Sequence, residues 1–262
     1  MLVSFIKKAI IIVSLVVIYQ IAWFVYVYLV PYTKGELKLS GSFSTKRILL
    51  DPGHGGSDLG TPVASPLMEK DFNLTFSKCL IAHFSAADNI SADLSRNSDI
   101  YLGRWQRVER ANRGGYDAFI SVHGNCCSRH SGGYMVIHSA NGPSARDSER
   151  LAKCIADSLD REGFTPHRFW PILPPLDRLV IPRLSDWIRY CPSTYRLGTF
   201  INTGYDITVL DHAQCPAVLI EVGFLSNARD LAQMNNPTFL DRFASAVQVG
   251  LEVFFTGNGV PG

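Results

Sequence analysis

Charge is scarce in this sequence and nearly balanced. Only 18% of its 262 residues are Asp, Glu, Lys or Arg, and 25 basic against 23 acidic side chains leave a formal net charge of +2. No run of Lys and Arg of the kind that tracks phosphates occurs anywhere, so nucleic acid is not an expected partner. Cysteine is sparse too. Cys79, Cys126, Cys127, Cys154, Cys191 and Cys215 contain no C-x-x-C pair, and their density is too low for a disulfide scaffold. Cys79 and Cys154 fall within helical patterns and read as core residues, whereas Cys191 and Cys215 can pair if the domain sits in an oxidising compartment. The HExxH helix signature is missing, so any metal site must be assembled from residues far apart in the chain. No internal repeat or low-complexity tract is present.

Apolar residues are plentiful, at 47% of the chain. Ala9 to Val30 is an uncharged run whose single strongly polar side chain is Gln20. As a helix rising ~1.5 Å per residue it spans roughly 33 Å, enough for a hydrocarbon core of ~30 Å. Trp23, Tyr26, Tyr28 and Tyr32 gather toward its end, as side chains seeking a membrane interface do. A cleaved signal peptide has an apolar region of only ~7 to 15 residues before a small-residue site. This run is longer and has no A-x-A site, so it is read as a transmembrane anchor over residues 9–30 behind a short cytoplasmic tail, 1–8. Lys7 and Lys8 precede it and Lys34 and Lys38 follow it, so charge does not orient it. Residues 31–45, rich in Gly, Ser and Thr, read as a linker.

From residue 46 to 262 strand-like and helix-like patterns alternate. Arg47–Leu50, Ile90–Leu94, Ala118–Val122, Tyr134–His138, Ile207–Leu210 and Ala217–Ile220 read as strands. Phe72, Phe76, Leu80 and Phe84 mark a helix opening at Glu69, and further helices are expected over Asp99–Arg113, Asp147–Arg161, Asn227–Met234 and Thr238–Phe255. Such alternation predicts a single α/β domain with a mostly parallel central sheet flanked by helices. In sheets of this kind ligands collect beyond the carboxyl ends of the strands. His54, His123 and Glu221 each lie at or near such an end. Residues 164–200 break the rhythm with six prolines and several aromatics, more basic than the rest of the chain, and read as an insertion.

A catalytic zinc needs three protein ligands and an open position. His54, in Asp51-Pro52-Gly53-His54-Gly55-Gly56, and His123, in Ser121-Val122-His123-Gly124-Asn125, occupy similar strand-to-loop positions, and Glu69 starts a helix. Spacing alone leaves an ordinary polar loop residue as the alternative for each histidine. His83 is read as a packed or surface histidine, and Arg96, Arg107 and Asn112 as scaffold.

The words DPGHGGSDLG, EKDFNL, LSRNSD, RANRGGYDAFISVHGN and PAVLIEVGFLSN occur in the order found in the zinc-dependent N-acetylmuramoyl-L-alanine amidases. The chain resembles that family from about Ile48 to Phe255, less the insertion. The resemblance implies a Zn²⁺ ion on His54, Glu69 and His123, with Glu221 as catalytic acid/base and Asn125 as a candidate substrate contact. It implies hydrolysis of the amide between N-acetylmuramic acid and L-alanine in peptidoglycan. Two competing readings are a zinc peptidase acting within the stem peptide and a catalytically silent wall-binding module. The substrate would put the domain on the periplasmic or extracellular side of the cytoplasmic membrane. In some relatives an inserted helix covers the zinc until a partner withdraws it, so an activator acting on 164–200 is a further expectation, beside a glycan-gripping or purely structural role.

Overall fold

Each strand of the central sheet is a short apolar run, and the sheet decides where the polar residues between those runs emerge. The computed structural model describes residues 45–60, 66–85, 87, 89–126, 129–167, 199–202 and 207–257. The expected tail and anchor, nearly all of the linker, and residues 168–198 of the insertion lie outside them. Among the described residues no helix is long and apolar enough to cross a membrane.

In chain order the elements are β1 (Lys46–Pro52), α1 (Glu69–Ser85), β2 (Ile90–Leu94), α2 (Arg104–Arg113), β3 (Ala118–Asn125), β4 (Met135–Ser139), α3 (Ala145–Arg161), β5 (Thr199–Asn202), α4 (Thr208–Asp211), β6 (Ala217–Phe224), α5 (Ala228–Met234) and α6 (Pro237–Thr256). The strands form one sheet in the order β2-β1-β3-β6-β4-β5. All neighbours are parallel except β4 and β6, which run antiparallel.

Strands β1, β3, β4 and β6 are buried on both faces, and alternation sorts their side chains into two layers. Ile48, Leu50, Ile120, Val122, Val218 and Ile220 join Phe72, Phe76, Leu80 and Phe84 of α1, Leu151 and Ile155 of α3, and Phe243 and Val247 of α6. The intervening Leu49, Phe119 and Leu219 face Val108 and Ala111 of α2 and Val209 and Leu210 of α4. Each fully buried large side chain contributes ~1.5–3 kcal/mol relative to exposure. The helix starts are closed by side chains. Asn227 accepts from the amides of Arg229 (2.9 Å) and Asp230 (3.2 Å), and Asn236 accepts from Thr238 (2.9 Å) ahead of Pro237 in the first turn of α6.

Several sequence expectations change. Ile207–Leu210, expected as a strand, gives way to the short helix α4, whose start is held by the Ile207 amide donating to the Asp211 carboxylate at 3.1 Å. A four-residue apolar run has no room to display a period, so the local side-chain bond decides its conformation. The helix expected over Asp99–Arg113 starts only at Arg104, because Asp99 is engaged with the Gly56 loop. Strands β3 and β6 extend past their expected ends, to Asn125 and Phe224, so His123 and Glu221 lie within strands.

Both ends of the expected 164–200 insertion also join the domain. Phe164 packs its ring against Phe239 and Phe243 at 5.2 and 4.9 Å, and Thr199–Asn202 pairs with β4.

Candidate metal centre

The carboxyl ends of β1 and β3 and the first turn of α1 meet at one edge of the sheet, and the expected ligands meet there with them. His54 Nε2 lies 3.1 Å and His123 Nδ1 3.0 Å from the same oxygen, Glu69 Oε1. The two imidazole rings stand edge to face, 4.9 Å between centroids and 82° apart. One donor atom from each of His54, Glu69 and His123 can be chosen so that all lie within 4.8 Å of one another. Sequence separations of 15 and 54 residues are thereby closed to contact distance by the fold alone.

His54 is the one non-glycine residue with positive φ (60°) among the described residues. That region is uncommon for side-chain-bearing residues and persists where surrounding bonds over-determine it. Here two buried guanidinium groups do so. Arg107 donates to the main-chain oxygens of Pro52 (2.8 Å), His54 (2.7 Å) and Leu102 (2.9 Å) while pairing with the buried Asp51 carboxylate at 2.6 Å. Arg96 donates to the oxygens of Pro52 (2.9 Å), Gly53 (3.0 Å) and Lys70 (2.8 Å). Asn73 adds a bond to the Gly53 oxygen at 3.1 Å. Asp51 also accepts from Ser121 Oγ at 2.9 Å and from Ser95 Oγ.

Two glycines make room for the ligands. A Cβ on Gly53 would lie 2.2 Å from the His123 ring, and one on Gly60, where φ is +84°, would lie 2.5 Å from Glu69 Oε2. No larger residue fits at either position without moving a ligand.

The electrostatics are those of a cation site. Burial opposes charge on Glu69, but hydrogen bonds and attraction from His123 and His54 prevail and hold its carboxyl well below the usual range. Burial likewise opposes the charged form of His54, yet Glu69 and Asp58 overcome it and raise its pKa to about 9. The Asp58 carboxylate is 2.9 Å from His54 Nδ1, the ring nitrogen turned away from Glu69. A carboxylate behind the second nitrogen is the usual way a metal-binding histidine is oriented.

Glu221 stands beside the cluster. On β6 it is in register with His123 on β3, so the two residues occupy the same face of adjacent strands. Its Oε2 is buried with no hydrogen-bond partner, and burial pushes its pKa up to about 7, with Glu69 adding to the rise and His123 and His54 opposing it.

Asn125 is occupied locally, its Oδ1 accepting from the Cys126 amide at 2.6 Å and its Nδ2 facing the Met135 sulfur at 3.4 Å. His83 bonds Asp241 at 2.9 Å, away from the cluster. Cys126 and Cys215 are free thiols, and Cys191 lies outside the described residues. Sequence reasoning missed Asp58, for which the spacing of an acid four residues after His54 was the available signal. It also gave Arg96 and Arg107 only a general scaffold role.

Residues 48–253 match the Amidase_3 family model, described as N-acetylmuramoyl-L-alanine amidase. The chain belongs to this family. Among curated amidases it is similar to AmiC of Escherichia coli, 24% identical over 226 residues that take in 79% of this chain and 52% of AmiC. It is also similar to LytC of Bacillus subtilis, 25% identical over 223 residues, 85% of this chain and 38% of LytC. The chain therefore spans about half the length of one of these relatives and less of the other. The crystal structure of the N-acetylmuramoyl-L-alanine amidase from Clostridium difficile 630 shares the fold, with a TM-score of 0.64 at 23% identity over 82% of this chain and 100% of that one. For an amidase of this family the donor set fits zinc. Two imidazole nitrogens and an ionised carboxylate make a His₂Glu arrangement of the kind catalytic zinc sites use.

Proposed function

We propose that this chain hydrolyses the amide between the lactyl group of N-acetylmuramic acid and the L-alanine of the stem peptide in peptidoglycan, with Zn²⁺ held by His54, Glu69 and His123. The observation that carries the reading is the convergence of His54 Nε2 and His123 Nδ1 on one oxygen of Glu69, beside the unpartnered Glu221 carboxylate, in a chain of the amidase family.

When bound, zinc polarises the scissile carbonyl and lowers the pKa of water from about 15.7 to near 7. The chain's own residues do the rest. The clamp of Arg96 and Arg107 fixes His54, and Asp58 sets the orientation of its ring. Glu221, on the strand beside His123 with a buried, unpartnered oxygen, takes a proton from the attacking water and delivers it to the departing amine of L-alanine. Partial burial of the site strengthens each of these electrostatic contacts.

In this reading the run from Ala9 to Val30 anchors the enzyme in the cytoplasmic membrane with the domain on the periplasmic or extracellular side. Asn125 contacts substrate, and an activator acts on the 164–200 insertion.

Mass spectrometry of muropeptides digested by the full chain, with zinc added and with zinc chelated, tests the reaction. Zinc-dependent release of peptides beginning with L-alanine, leaving intact disaccharides, is the expected result. Cleavage inside the peptide would assign the site to a peptidase, and absence of zinc-dependent products would leave a wall-binding module.

A further inference from the structure

The surface around the ligand cluster differs on its two sides. Large hydrophobic side chains exposed among the described residues include Leu59 (52%), Met68 (51%), Ile100 (45%) and Tyr101 (61%). Leu59 and Met68 sit on segments that hold ligands, and Ile100 and Tyr101 on the loop that packs against Gly55 and Gly56 beside His54. Leu59 precedes Gly60, which lies against Glu69, and Met68 precedes Glu69 itself. The Ile100 oxygen stands 2.2 Å from where a Cβ on Gly55 would be, directly after His54. This apolar rim is pinned: Asp99 accepts from the Gly56 amide and from Lys70 Nζ, each at 2.7 Å. Lys70 is buried in that pair, so the exposed charges on residues 54–60, 66–71 and 98–101 are Asp58, Asp71 and Asp99, all acidic. Arg104 is the nearest exposed cation along the chain, on α2.

The other side carries the opposite charge. Beyond β3 the chain turns through the exposed Arg129 and His130, and the Arg129 oxygen accepts from Asn227 Nδ2, just after β6, at 3.1 Å. The strand order β2-β1-β3-β6 therefore lays out, along one edge, the apolar rim after β2 and β1, the ligand His123 on β3, and the Arg129 turn, which follows β3 and is tied to Asn227 beyond β6. The amide named in the proposed function divides its substrate in the same way. On one side stands an uncharged acetamido sugar with its lactyl group, and on the other a peptide bearing free carboxylates.

We infer that substrate lies along this edge in a single polarity, the sugar half on Leu59, Met68, Ile100 and Tyr101 and the anionic peptide half toward Arg129. The inference rests on the amidase reading. Aromatic and apolar side chains take the hydrophobic faces of a ligand while a few charged groups fix its orientation, and like charge on the wrong side rejects the reversed pose. The exposed Asp71 carboxylate supplies that rejection, whereas Asp58 and Asp99 are balanced by His54 and Lys70.

The test is steady-state hydrolysis by the zinc-loaded full chain of three soluble fragments: a disaccharide peptide, the same compound with its carboxylates amidated, and a muramoyl peptide lacking the outer sugar. Tyr101→Ala should raise KM for the disaccharide peptide about tenfold, affect the amidated compound equally, and affect the fragment lacking the outer sugar less. Arg129→Ala should raise KM about threefold for the free carboxylates and leave the amidated compound unchanged. An Arg129→Ala effect that follows the sugar, a Tyr101→Ala effect that follows the carboxylates, or unchanged KM values would overturn the polarity. Weakened binding to anionic lipid vesicles with unchanged kinetics in Tyr101→Ala would assign the rim to a membrane surface and equally overturn it. Failure of the wild-type chain to release L-alanine peptides at all would instead remove the amidase reading beneath it.

Discussion

Arg96 donates from Nη2 to the main-chain oxygen of Lys70 at 2.8 Å, and the same nitrogen reaches the Gly53 oxygen at 3.0 Å. One buried guanidinium thus ties the residue after Glu69 to the residue before His54, coupling two ligand segments through main-chain carbonyls.

Arg96→Met should weaken zinc binding by about 10- to 100-fold, the usual range for loss of a group that orients metal ligands. Competition with a chromophoric chelator measures this in the absence of turnover. Arg96→Lys, which restores charge without the planar fork, should recover only part of the affinity. If the apo protein melts earlier while zinc affinity is unchanged, Arg96 serves stability alone.

Glu221→Gln keeps the shape of the side chain but removes its basic oxygen. Hydrolysis should fall about 10²- to 10⁴-fold while zinc content stays at the wild-type level. Metal analysis beside the rate separates a lost proton carrier from a lost metal.

Gly53→Ala places a methyl group within 2.2 Å of the His123 ring. The ring must move, so zinc affinity should drop with little loss of helix content. Circular dichroism and chelator competition on the same sample check both halves.

His138 on β4 is buried, and burial lowers its pKa below the ordinary imidazole value, with Glu149 opposing and Lys153 reinforcing the shift. The unfolded chain therefore takes up this proton first. The contribution to stability is complete above the unfolded pKa of about 6.5 and is lost as pH falls below it toward the lower folded value. Urea midpoints at pH 7 and pH 5 should converge in His138→Gln relative to wild type, even if the variant is less stable at both.

Phe243 touches Phe76, Tyr134, Phe164 and Phe239 and is fully buried. Phe243→Ala should cost ~3–5 kcal/mol in unfolding free energy, checked by calorimetry. Phe164 shares that cluster, so Phe164→Ala should destabilise the same unit, which a detached insertion would not do.

The helix α1 was legible because Phe72, Phe76, Leu80 and Phe84 repeat at helical spacing, and β1, β3 and β6 because short apolar runs end in glycine or polar loops. The ligands His54, Glu69 and His123 were legible as words in a family order. Tertiary structure alone decided that their donor atoms meet, because closing those sequence distances depends on the parallel pairing of β1 with β3 and the docking of α1 on both. It also decided the helix at Thr208–Asp211 and the place of Phe164 in the core. The grip of Arg96 and Arg107 on the His54 loop left no local pattern to read: their partners are main-chain oxygens, which every residue carries, so only the folded path of the chain selects which ones they hold.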